Sequence, residues 1–292
     1  MTADLPDRPP APTAAAIEPV VGDRAWAQAV LDVLAALARA RARVGAVPAQ
    51  TAAVITRSAR TEFFHPRLIA SAARDAADPV TTLAALLTRL VAELDPPSAE
   101  HVHGGPTGPA ILDTATMTVA HRALTVIDGH LGGALTSSSG PGTAEWPGLL
   151  RDARCRLRRV RDEGLPVAAS GLDGYALPGT RDDLVDAFAA EIGLSRPGAP
   201  ARTAIAGLGS ALAVTAGALG RIAAGGARVR DPVRAAQVLS ATRQVPPLAA
   251  GLSRPAGGRR AEWRLLRECL RLTGTAAETA VSLLRVVEVA RS

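Results

Sequence analysis

Apolar residues recur at steps of three and four along most of this chain, and no alternating apolar–polar run marks a strand. Between 201 and 224, Ile205, Leu208, Leu212, Thr215, Leu219 and Ile222 form a heptad-like seam. The same spacing runs through Trp263, Leu266, Leu270, Thr273, Ala277, Ala280, Leu284 and Val287 between 259 and 289. A third long element covers 232–252. Two seams of this kind predict helices packed at a shallow angle, a long bundle rather than a globin-like pile. The predicted class is all-α.

Shorter helices are predicted ahead of the bundle at 24–44, 49–60, 66–75 and 80–94. The first carries Val30, Leu34, Leu37 and Val44 on one face and stops at Gly45. "DPPSAEHVHGGPTGP" (95–109) reads as the main linker. A helix follows at 109–131, with Pro109 in its first turn and Thr107 or Gly108 as cap. "GGALTSSSGPGT" (132–143) reads as a flexible loop, 145–163 as a helix and 164–180 as irregular chain. This organisation predicts a Pro- and Ala-rich disordered lead-in (1–23), a small helical N-terminal domain (24–103) and a central bundle domain (104–292).

Composition narrows the chemistry. The 33 basic residues are all arginine, and the chain holds no lysine and no asparagine. A Schiff-base lysine, a phosphate-loop lysine and a lysine general base are therefore excluded. Net charge is +6 and aromatics make up 2 %, a weak footprint for nucleic acid and few rings for base stacking. The densest basic run, "RDARCRLRRVRDE" (151–163), reads as a solvated helix face with acids interspersed. The uncharged stretch "TAIAGLGSALAVTAGALG" (203–220) is short and dilute for a membrane span, and its seam predicts the central helix of a bundle. Cys155 and Cys269 lie far apart and read as free thiols. The first twenty residues lack the basic and apolar regions of a signal peptide, so a cytoplasmic location is expected.

The stretch "HVHGGPTGPAILDTA" (101–115) carries the candidate chemistry. On the residues alone, His103 reads as a loop histidine that bonds locally. His101 with His103 hints at a metal, but no further His/Cys cluster supports one, and no metal or other cofactor is predicted. Thr107 is an anion contact at a helix N-terminus or an ordinary cap.

The order of motifs resembles the fumarase/aspartase lyase superfamily, in particular its 3-carboxy-cis,cis-muconate cycloisomerase branch, with adenylosuccinate lyase the next relative. "LDVLAALARARARVGAVPA" (31–49) is similar to the branch's opening helix, with Leu34 where a glutamate is usual. "DPVTTLAALLTRL" (78–90) resembles its Asn-Pro-Val-x-Pro-Leu helix. "HVHGGPTGPAILDTA" is similar to its Val-His-Trp-Gly-Ala-Thr-Ser-Gln-Asp-x-x-Asp-Thr-Ala box, matching at His103, Gly105, Thr107, Asp113 and Thr114. "DPVRAAQVLSATRQVPPLAAGL" and "AEWRLLRECLRLTG" resemble the segments that follow its mobile loop.

The departures fall where the resemblance places the chemistry. The family's loop, Gly-Ser-Ser-x-Met-Pro-His-Lys-x-Asn-Pro, supplies a serine base; here "GGARVRDP" (225–232) is shorter and lacks serine, lysine and asparagine. The family's Arg-Thr-His-x-Gln segment, expected between 131 and 150, finds no histidine there. Gly108, Pro109 and Ala110 replace the box's Ser-Gln-Asp. The family's C-terminal domain is also expected to be missing. The resemblance thus implies a cofactor-independent lyase or cycloisomerase fold with degenerate catalytic motifs. His103, Thr107 and Arg230 remain as candidate contacts for a small polycarboxylate, His103 alone as a candidate catalytic group. Implied partners are a second copy, as a homotetramer, or a full-length lyase homologue. The rival reading is a non-catalytic helical oligomerisation or regulatory partner; neither reading involves nucleic acid or a membrane.

Overall fold

The computed structural model describes residues 16–74, 78–103, 108–138, 145–172, 177–198, 201–225, 231–254 and 258–289. Among them there is no strand, only an isolated bridge between Pro166 and Ser195. The helices are α1 (Glu18–Val21), α2 (Asp23–Arg43), α3 (Ala49–Ser58), α4 (Pro66–Arg74), α5 (Pro79–Leu94), α6 (Pro96–Ala99), α7 (Gly108–Thr136), α8 (Trp146–Glu163), α9 (Arg181–Ile192), α10 (Ala201–Ala224), α11 (Pro232–Leu252) and α12 (Arg259–Val289). The all-α expectation is met, and α7, α10, α11 and α12 form the long bundle.

Both predicted seams are buried over most of their length, with Trp263 half-buried and the Val287 side chain outside the described residues. Ile205, Leu208, Leu212, Thr215, Leu219 and Ile222 all face inward on α10, as do Leu266, Leu270, Thr273, Ala277, Ala280 and Leu284 on α12. α10 and α11 run antiparallel and touch at Gly220, where an added Cβ would lie 2.4 Å from Thr242 Oγ1. That hydroxyl donates across the gap to the Ala216 carbonyl at 3.0 Å. α10 is long and apolar enough to cross a membrane by length and composition; here it packs against α8, α11 and α12.

Several boundaries differ from the sequence expectation, each for a tertiary reason. α1 falls inside the stretch read as a lead-in, because Ile17 is buried against α12, where a Cβ on Gly274 would meet its side chain at 2.6 Å. α7 runs to Thr136, through glycines read as loop. At Gly132 and Gly133 the missing side chains admit close neighbours, the Arg154 guanidinium and the Val281 side chain. α9, unpredicted, buries Leu184, Val185, Phe188 and Ala189 against α2 and ends at Gly193 in the left-handed region (φ 73°). α2 packs on both α7 and α9, so the N-terminal helices and the bundle share one continuous core.

The basic run on α8 is more than a solvated face. Arg154 and Arg158 reach across to the buried Asp128 of α7, at 2.9 and 3.0 Å. Burial pushes that carboxyl upward, but the two guanidinia outweigh it and hold Asp128 below the ordinary carboxylate range. Cys155 is exposed; Cys269 is buried, and burial pushes its thiol up to about 12.

Candidate functional site

The candidate box sits at the start of α7. Asp78 caps α5: its carboxylate accepts from the Val80 and Thr81 amides at 3.1 and 3.2 Å and from the Thr81 hydroxyl at 2.7 Å. The same carboxylate reaches the first turn of α7, with its two oxygens 3.4 and 3.5 Å from where a Cβ on Gly108 would stand. The Thr81 hydroxyl, the two amides and the nearby His103 together hold the Asp78 carboxyl below its ordinary value. His103 is half-buried, and its Nδ1 is enclosed without a hydrogen-bond partner. His101 is tied down by its backbone, its carbonyl accepting from Arg41 at 3.0 Å. No group of three His, Cys, Asp or Glu side chains placed to hold a metal occurs among the described residues.

Two further box residues do structural work. Asp113 forms a forked ion pair with Arg259 at 2.8 and 3.2 Å, tying the first turns of α7 and α12 together. Thr114 is fully buried; its hydroxyl donates to the Ala110 carbonyl at 2.9 Å and accepts from the Ala168 amide at 3.0 Å. That bond lays the 165–168 segment over the start of α7, and the segment exchanges two backbone hydrogen bonds with Ser195. The sequence motif pointed to Thr114 but not to this role, and it gave no sign that Asp78 meets Gly108 from thirty residues away. Asp-Pro at a helix start was the available signal for Asp78. Thr107 and Arg230 lie outside the described residues.

The other end of the bundle is different. α7 and α8 are antiparallel, so the start of α8 and the end of α10 lie near the C-terminus of α7. There Trp146, only 7 % exposed, packs its Cζ2 3.2 Å from where a Cβ on Gly225 would be. Gly225 and Asp231, which caps α11, are the described residues that flank the stretch holding Arg230. α7 has 29 residues, so the two ends stand about 40 Å apart at 1.5 Å per residue. Within one chain His103 and Gly225 therefore stand at opposite ends of α7.

Comparison with known proteins decides the family. No family model matches the chain. A nitrosuccinate lyase from Streptomyces davaonensis is 38 % identical over 339 residues, covering 92 % of this chain and 71 % of that one. The chain belongs to the fumarase/aspartase lyase superfamily. A 3-carboxy-cis,cis-muconate cycloisomerase from Bradyrhizobium diazoefficiens is 30 % identical, covering 99 % of this chain and 78 % of that one. The crystal structure of the 3-carboxy-cis,cis-muconate lactonizing enzyme from Pseudomonas putida superposes with a TM-score of 0.81 at 25 % identity, over 92 % of this chain and 74 % of that one. The 339-residue alignment is longer than this chain's 292 residues. This lyase-family chain therefore lacks stretches that its relative carries inside the aligned region.

Proposed function

We propose that this chain is a catalytically degenerate, cytoplasmic member of the cycloisomerase-like lyases, able to hold a small polycarboxylate at the His103 end but unable to complete a reaction alone. One observation carries the reading: the 225–232 stretch "GGARVRDP" holds no serine and 131–150 holds no histidine, so the family's base and acid have no counterpart there. A general acid and a general base are each worth about 10²–10⁴-fold, and they act only within hydrogen-bond reach of one substrate. The names of the relatives, nitrosuccinate lyase and 3-carboxy-cis,cis-muconate cycloisomerase, supply the polycarboxylate class. The test is turnover of nitrosuccinate and of 3-carboxy-cis,cis-muconate by pure protein. No acceleration is expected, and fast turnover that is lost in His103→Ala would overturn the proposal.

A second reading, that the chain works as a subunit of a larger assembly, has its own support. The outer face of α10 leaves Val214 45 % exposed, and a Cβ on Gly207 or Gly217 would meet nothing within 4 Å. A mid-helix glycine costs roughly 0.5–1 kcal/mol relative to alanine, and none of the described residues uses the space. The expected occupant is a helix of a second copy, as a homotetramer, or of a full-length lyase homologue. Light scattering after size exclusion tests the first, and pull-down after co-expression tests the second. A clean monomer at micromolar concentration, with no capture of the homologue, rules out both.

A further inference from the structure

Two adjoining hollows lie on the flank where α2 meets the middle of α7, away from the box. The smaller, about 280 Å³, is walled by the guanidinia of Arg39, Arg60 and Arg122, by Gln28 and Thr56, and by the carboxylates of Asp32 and Glu191. The larger, about 1510 Å³, shares Gln28, Arg60 and Arg122 with it and continues over the apolar Pro19, Val20, Ala25 and Val126.

The acids around these hollows are already engaged. Asp32 is held by Arg122 at 2.6 Å and by Gln28 at 2.8 Å. Glu191 is held by Arg39 at 2.6 Å and Arg43 at 2.5 Å. Glu62 pairs with Arg60 at 3.0 Å, while Glu18 and Asp23 on the rim pair with Arg267 at 3.2 and 3.0 Å. The cations are less committed. A guanidinium carries five N–H donors, and Arg60 and Arg122 each place one on a described side chain. Both remain accessible, with side chains 56 % and 42 % exposed. Unspent planar donors beside a polar hollow suit a carboxylate or phosphate, which a guanidinium binds through two parallel hydrogen bonds. The apolar wall next to them suits the body of the same molecule.

We propose that these hollows form a binding site for an amphiphilic organic anion, with its oxyanion head between Arg60 and Arg122 and its apolar body along Val20 and Val126. The site is separate from the box: Arg122 is fourteen residues along α7 from Gly108, or about 21 Å at the helical rise.

Titration calorimetry of the full chain with octyl phosphate, octanoate, inorganic phosphate and acetate tests the proposal. At least one octyl probe is expected to saturate the protein and to bind tenfold or more tightly than its head group alone. The better octyl probe identifies the head as phosphate or carboxylate. Arg60→Gln combined with Arg122→Gln is expected to weaken that binding at least tenfold, and Val126→Asp to remove the octyl advantage. Arg122→Gln breaks the pair with Asp32, so Arg60→Gln alone, on an exposed side chain whose described partners are Glu62 and the ring of the exposed Phe63, is the safeguard against a folding defect and is expected to cost at least threefold. The proposal is overturned if neither octyl probe saturates, if octyl and head-only probes bind alike, or if binding survives the arginine replacements.

Discussion

At one end of the bundle Trp146 lies over Gly225 and closes the helix ends with apolar surface. At the other, Asp78, His103, Asp113 and Thr114 gather around the first turns of α7, and one imidazole nitrogen is left enclosed and unpartnered. The first end gains stability from burial. The second spends polar groups on position and leaves one of them unused. An enclosed, unsatisfied nitrogen costs free energy that an apolar side chain would avoid, so the two ends are held by different means, one by apolar burial and the other by polar positioning.

The sharpest way to break this contrast is at the closed end. Trp146→Ala is expected to cost about 3–5 kcal/mol, the range for deleting a large buried ring, read from denaturant melts. A loss below about 1 kcal/mol would show that the end is not sealed by that ring. Asp128→Ala comes next. It strands Arg154 and Arg158, and since both are partly exposed the expected cost is about 2–3 kcal/mol, below the figure for a fully buried pair. Thr114→Val leaves the Ala168 amide unpaired, for about 1–3 kcal/mol; hydrogen exchange at Ala168 should accelerate while exchange in α10 and α11 is unchanged.

The effects at the open end shrink further and acquire a pH signature. Asp78→Ala removes a helix cap worth about 1 kcal/mol. The Asp78 carboxyl is held low in the fold, so its contribution is complete above the unfolded value near 3.8 and fades as pH falls through the lowered folded value. The wild-type and Asp78→Ala melting temperatures should therefore converge in acid; a gap constant from pH 7 to pH 2 contradicts this account. Smallest of all, His103→Ala should alter stability by no more than about 0.5 kcal/mol, because relief of the enclosed, unpaired Nδ1 offsets the packing lost with the half-buried ring. A large loss would mark His103 as part of the scaffold.

How far the sequence reached depended on the range of the interactions involved. The seams on α10 and α12 were legible because burial along one helix repeats every three to four residues. α9 was missed although Leu184, Val185, Phe188 and Ala189 keep that spacing and Gly193 ends it; a single short period carries little weight beside two long ones. The extension of α7 through Gly132 and Gly133 was illegible, because glycine is a poor helix former and the close approach of Arg154 and Val281 to these positions is a tertiary feature. At the site, the motif gave His103 and Asp113 directly. The meeting of Asp78 with Gly108 depends on how α5 packs beside α7, which no local pattern encodes.

The ion pairs that join the helices have one more property. Arg39 and Arg43 with Glu191, Arg154 and Arg158 with Asp128, and Arg259 with Asp113 all use guanidinium as the cation. A guanidinium does not lose its proton in a protein. Base therefore has no purchase on these clamps, and only acid, by protonating the carboxylates, can open them. The same composition, with no lysine anywhere in the chain, leaves acylating reagents no side-chain amine to modify, so acylation cannot neutralise any of the cations in these clamps.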